Sequence, residues 1–179
     1  LMNRHVKILV KSAMLAALCC AATLISIPLP GNGYANLGDA LVMCTAFFAG
    51  PLWGALAAAV GSALSDVILS YVVYAPATFI IKGLVALCFG LLMRCFVNKK
   101  AIVRTVMTVV CAIASEAVMV GGYFVFEWIL YDRGVAVADL PGNGLQAAVA
   151  IVLAAVLISL FSSNKRIRKF SPLINAAKD

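Results

Sequence analysis

Apolar stretches close to the length of a bilayer crossing follow one another through almost the whole chain, and five ionisable residues, Asp39, Asp66, Lys82, Glu116 and Glu127, sit within or at the ends of them. About 20 apolar residues in helical form cross the hydrocarbon of a membrane. Of the 179 residues, 64% are hydrophobic and only 12% charged, with a mean hydropathy of +1.07. The chain therefore reads as an all-α integral membrane protein. A charge inside the bilayer costs at least about 2.5–3.5 kcal/mol and persists only when paired or facing a cavity, so each of the five marks a candidate functional position.

Breakers and apolar runs divide the sequence into six transmembrane helices, at about 8–27, 37–50, 52–69, 76–97, 102–130 and 144–162. Together they form a single domain over residues 1–179, with no room for a soluble catalytic domain. Gly50-Pro51 carries no charge and reads as a tight hairpin between the second and third spans. Leu1-Met2 looks like a remnant ahead of a native start, and the basic, apolar opening runs on without a small-residue cleavage site, so no removable signal peptide is expected.

Arg4, Lys7 and Lys11 precede the first span, Arg94, Lys99, Lys100 and Arg104 bracket the turn between the fourth and fifth, and Lys165, Arg166, Arg168, Lys169 and Lys178 follow the sixth. Positive residues near span ends stay cytoplasmic, which places both termini in the cytoplasm. The net charge of +7 is thus a topology signal. Nucleic-acid binding is a poor reading of it, because the basic residues are split among three membrane-flanking segments.

Chemistry collects at the opposite, outer end. Asn36 is placed to cap the helix that Asp39 opens, although an Asp in the first turn also suits the helix dipole on its own. Asp66 and Lys82 lie at similar depth on neighbouring spans, and an ion pair between them is the least costly way to keep Lys82 in the membrane; that pair is either structural or open to a ligand. Glu116, in mid-span, has no basic residue one turn away and needs a partner from another element. Tyr34, Tyr71, Tyr74, Tyr123, Phe124, Phe126 and Trp128 suit an interfacial belt. Tyr71 and Tyr74, between Asp66 and Lys82, also suit stacking on a planar heterocycle, with Asn143 and Gln146 at the outer start of the sixth span able to join, so the ten residues expected to bind a ligand are Asn36, Asp39, Asp66, Tyr71, Tyr74, Lys82, Glu116, Tyr123, Asn143 and Gln146.

Ala13, Ala17 and Ala21 recur at four-residue spacing and flatten one side of the first span, for packing within the chain or against an external helix. Gly54, Ala58, Gly61, Ser62 and Ser65 make a similar run in the third, read as internal packing. The six cysteines have no ligand spacing and read as inert buried thiols. His5 is the only histidine, so neither a metal site nor histidine acid/base catalysis is expected, and no cofactor is called for. With no Gly-x4-Gly-Lys-Ser/Thr loop, the chain has no ATPase of its own.

The run Asn36-Leu37-Gly38-Asp39, the turn Ala49-Gly50-Pro51-Leu52-Trp53-Gly54, then Gly61-Ser62-Ala63-Leu64-Ser65-Asp66 and Tyr74 to Gly83 resemble the substrate-binding S components of energy-coupling factor (ECF) vitamin transporters, most closely the pyridoxine or hydroxymethylpyrimidine branch. The resemblance implies a prokaryotic plasma-membrane protein that captures one vitamin in an outward pocket. It then associates with a transmembrane coupling protein and two ATP-binding-cassette ATPases, and topples to deliver the vitamin. It also implies that Ala13 and Ala17 contact the coupling protein. A pyridoxine-like ligand fits Asn36, Asp66, Lys82 and a stacking tyrosine; hydroxymethylpyrimidine fits the same groups, riboflavin is less favoured, and a folate dianion lacks basic partners. Other classes are a membrane-embedded enzyme, which the absence of Asp-rich or His-containing motifs disfavours, and an ion or proton pathway through Asp66, Lys82 and Glu116.

Overall fold

A computed structural model describes residues 3–28, 34–164 and 170–176. Five of its helices are long and apolar enough to cross a membrane: α1 (Arg4–Thr23), α3 (Pro51–Ile68), α4 (Ala75–Arg94), α5 (Ala101–Leu130) and α6 (Arg133–Ser163). The second expected span is α2 (Gly38–Ala49), whose 12 residues rise only about 18 Å. It is too short to cross alone. Instead it is a nearly all-buried inner helix, packed against α1, α3, α4 and α6. A short α7 (Pro172–Ala176) follows.

Two further boundaries depart from the sequence reading. The first span stops at Thr23, and Ser26–Pro28 pairs antiparallel with Tyr34–Asn36 as two short strands, β1 and β2, the one strand pairing among the described residues. The sixth helix starts eleven residues earlier than expected, at Arg133, and runs through Pro141. Asp132 starts it by accepting from Val135 N at 3.0 Å, and that cap stabilises a helix start that hydropathy alone does not show. Asn143 and Gln146 consequently lie well inside a helix and not at its outer start.

Small residues bring the helices together. A Cβ on Gly54 would collide with the α2 backbone at Ala46, and one on Gly61 with the Ala16 carbonyl of α1. Gly54, Ala58, Gly61, Ser62 and Ser65 are all buried, the internal packing face read from the sequence. Gly50 turns the chain between α2 and α3 at φ 85°, a conformation glycine adopts without strain. The α3 face away from the bundle carries Leu52, Leu56, Val60, Leu64 and Val67, exposed as lipid-facing residues are.

One end of the bundle gathers the α2–α3 turn, the α4–α5 turn and α7. Ser171 Oγ donates to Phe47 O at 2.6 Å, Asn98 Nδ2 to Ile174 O at 3.3 Å, and Lys11 Nζ to Phe170 O at 2.5 Å. Lys11, Arg94, Lys99 and Lys100 belong to this end, which the positive-inside rule makes cytoplasmic. Lys165, Arg166, Arg168, Lys169 and Lys178, which the orientation argument also used, lie outside the described residues. The strand pair and the turns at 69–74 and 131–132 form the opposite end.

Candidate functional site in the outer half of the bundle

The centre of the outer half is an ion pair. Lys82 Nζ on α4 lies 2.5 Å from Asp39 Oδ1 in the first turn of α2, with the two residues 2% and 0% exposed. Asp66 was the partner expected for Lys82. Burying α2 at the core of the bundle puts Asp39 directly beside α4, while Asp66 sits at the outer end of α3, where its carbonyl accepts from Tyr71 N at 2.7 Å.

Gln146 completes the pair. Its Nε2 donates to Asp39 Oδ2, and its Oε1 accepts from Asn36 N at 2.9 Å and from Asn36 Nδ2 at 3.5 Å. Asn36 Oδ1 accepts in turn from Gly38 N at 2.7 Å, an Asx-type turn ahead of α2; the N-cap position itself is Leu37 and receives no side-chain cap, so Asn36 is not the expected helix cap. One chain of hydrogen bonds therefore joins β2, α2, α4 and α6. Tyr123 packs on the other side, its ring centroid 5.2 Å from Lys82 Nζ and its hydroxyl 2.9 Å from Thr78 Oγ1.

Above this network lies a cavity lined by Asn36, Asp66, Tyr74, Thr78, Tyr123, Glu127, Asn143 and Gln146. Its open space is about 20 Å3 for the centre of a water molecule, room for about one water. The space among the described residues is narrow, and a ring-sized ligand requires it to widen.

Six of the ten expected ligand-binding residues line the cavity: Asn36, Asp66, Tyr74, Tyr123, Asn143 and Gln146. Asp39 and Lys82 form its floor by way of Gln146 and Tyr123. Glu116 is 2% exposed, close enough to Asp39 and Lys82 to feel both charges, and neither of its oxygens has a hydrogen-bond partner. Tyr71 is not in the lining. Its ring meets Tyr74 edge-on, at 6.2 Å and 81°, so no ligand stacks between the two as the sequence had invited. Tyr74 also packs on Phe126 at 5.3 Å. It stands just outside the span, where burial first and the carboxyl of Glu127 second hold its phenol well above the ordinary range. Tyr74 keeps its proton and offers the cavity a donor.

Thr78 and Glu127 enter the lining without having been assigned there. Helical spacing contains both: Thr78 precedes Lys82 by one turn, and Glu127 follows Tyr123 by one turn. Glu127 Oε2 and both oxygens of Asp139, its hydrogen-bonded neighbour on α6, are buried with no partner from any other residue. On α1, Ser12 and Cys19 face inward while Ala13, Ala17 and Ala21 are exposed, so the alanine stripe is turned away from the bundle.

A family model described as the S component of the ECF-type riboflavin transporter matches residues 3–163. The chain belongs to the S-component family of ECF-type transporters. It is 37% identical over 138 residues, 76% of this chain and 88% of the other, to an uncharacterized protein in the gap 3' region of Pyrococcus woesei. Its fold matches the S component of a bacterial ECF transporter with a TM-score of 0.51 at 22% identity, over 86% of this chain and 94% of that one. Members of the family are substrate-binding transport subunits of the prokaryotic plasma membrane that work with a T component and ABC ATPases. This S component is accordingly a multi-pass transport subunit and not an enzyme, and ATP is hydrolysed by its partners.

Proposed function

We propose that this S component captures a small vitamin of the pyridoxine kind in the outer cavity and delivers it through the alanine face of α1. The observation that carries the reading is the convergence of Asn36, Asp66, Tyr74, Thr78, Tyr123, Asn143 and Gln146 on one outer cavity. A single-ring heterocycle with ring nitrogen and hydroxyl groups matches that set of amides, hydroxyls and carboxylates. Asp39, Lys82 and Gln146 hold the floor in place, and Glu116 lies close to it. Tyr71 supports Tyr74 from outside.

Ala13, Ala17 and Ala21 provide a flat exposed stripe against which a helix of the T component packs closely. With the vitamin enclosed, docking on the T component and its two ATPases turns the subunit in the bilayer and opens the cavity inward. Hydroxymethylpyrimidine fits the same groups. Riboflavin is the second reading, favoured by the description of the matching family model. A three-ring flavin demands far more widening of the narrow cavity than a single ring does.

Native mass spectrometry of the chain purified in detergent without added vitamin tests these readings. A co-purifying pyridine or pyrimidine is the expected result. Riboflavin in its place decides for the second reading. An empty protein that binds no member of a vitamin panel by calorimetry overturns vitamin capture and returns weight to an ion pathway.

A further inference from the structure

Beyond the Asp39–Lys82 pair, the outer half buries a second pair, of like sign. Glu127 on α5 and Asp139 on α6 flank the turn at 131–132, are 2% and 1% exposed, and act on each other electrostatically. The two carboxyls share a hydrogen bond with each other, and beyond it no other residue donates to Glu127 Oε2 or to either oxygen of Asp139. Glu127 lines the cavity, so this pair borders the space that a ligand enters.

Unsatisfied carboxyl oxygens held away from water cost more than most single packing defects, and two facing carboxyls compound the cost. No cation of the chain answers them among the described residues. Lys82 is taken by Asp39, and Arg133 is exposed at the start of α6. The cavity also offers Tyr74, whose buried hydroxyl has no partner beyond the neighbouring Tyr131 phenol and whose ring packs with those of Phe126 and Tyr131. No three His, Cys, Asp or Glu side chains converge among the described residues, so a pair of this kind matches a single positive charge better than a tightly coordinated transition metal.

We propose that Glu127 and Asp139 form a cation subsite of the outer cavity, holding one positive charge: a protonated nitrogen of the captured molecule or a small inorganic cation such as sodium. The first source rests on the capture reading above; the second does not. Two measurements on the chain purified in detergent separate them. In thermal unfolding at equal ionic strength, sodium or ammonium chloride is compared with tetramethylammonium chloride, whose cation is too bulky for the narrow site. In calorimetry, pyridoxamine is compared with pyridoxine, which differs by a hydroxymethyl group in place of the aminomethyl group.

The proposal expects either a higher Tm in the small cations, or at least about tenfold tighter binding of the amine. Either preference disappears in the near-isosteric variants Glu127→Gln and Asp139→Asn. A small-cation effect without binding of either vitamer keeps the subsite, names the inorganic source and removes pyridoxine-like capture. Binding of both vitamers at equal affinity, with identical Tm in all salts, overturns the subsite and leaves capture standing. The preferences are read on the unmodified chain, so a variant that fails to fold leaves the test intact.

Discussion

Lys82 on α4 reaches Asp39 at the opening of α2 at 2.5 Å, and neither residue is open to solvent. The pair is a bolt between the short inner helix and a membrane-spanning one. Removing one partner leaves a buried charge uncompensated, typically at a cost of 3–5 kcal/mol, whereas replacing both by apolar groups is often close to neutral. Lys82→Ala and Asp39→Ala are each expected to lower the Tm of the purified chain strongly. Asp39→Leu/Lys82→Met is expected to recover most of the loss while still failing to bind vitamin. A double variant no more stable than the worse single variant shows that the pair is not what links the two helices.

Gln146 carries two opposite duties, donating to Asp39 Oδ2 and accepting from Asn36 N. Gln146→Glu keeps the acceptor and removes the donor, setting a carboxylate against a carboxylate. It is expected to weaken vitamin binding by tenfold or more, about 1.4 kcal/mol, in equilibrium titration. Gln146→Leu removes both bonds and is expected to lose stability as well. Unchanged affinity in both variants places Gln146 outside the binding network.

The class of the protein, its helix order and the outer location of the site were legible because hydrocarbon imposes strong rules: long apolar runs, glycine and proline at turns, lysine and arginine on one side. What escaped depends on contacts between distant segments. The length of α2 was hidden because residues 37–50 are apolar whether they face lipid or protein. The partner of Lys82 was assigned to Asp66 by proximity along the chain, yet sequence distance says little about which helix lies at the centre of a bundle. The partner is Asp39, 43 positions away in sequence. Glu127 and Thr78 were within reach, because one-turn spacing from Tyr123 and Lys82 sets them on the same faces. The start of α6 was missed because a stretch with three charges, two glycines and a proline, Asp132 to Asn143, reads as loop until its cap is seen.

Gly61 allows the Ala16 carbonyl of α1 to lie where a side chain would otherwise be. Gly61→Val forces the two helices apart, with an expected cost of about 1–3 kcal/mol or more in chemical or thermal unfolding in detergent. Gly121, beside which a Cβ meets nothing, is the control: Gly121→Ala is expected to be neutral or slightly stabilising, as helix propensity favours alanine. Equal behaviour of the two variants refutes close α1–α3 packing.

The outward stripe of Ala13, Ala17 and Ala21 separates capture from delivery. It lies on the side of α1 opposite Ser12 and Cys19, away from the cavity, so a bulky side chain there leaves the outer network untouched. Ala13→Trp and Ala17→Trp are expected to bind vitamin with wild-type affinity while abolishing uptake in cells or vesicles that hold the T component and ATPases. The expected defect is loss of the assembled complex, visible as failure of the T component to co-purify. Close approach through small residues tolerates no indole, whereas a lipid-facing stripe accommodates one readily. Normal uptake by both variants would therefore move the docking face elsewhere, and reduced vitamin binding would mean that α1 shapes the cavity from a distance.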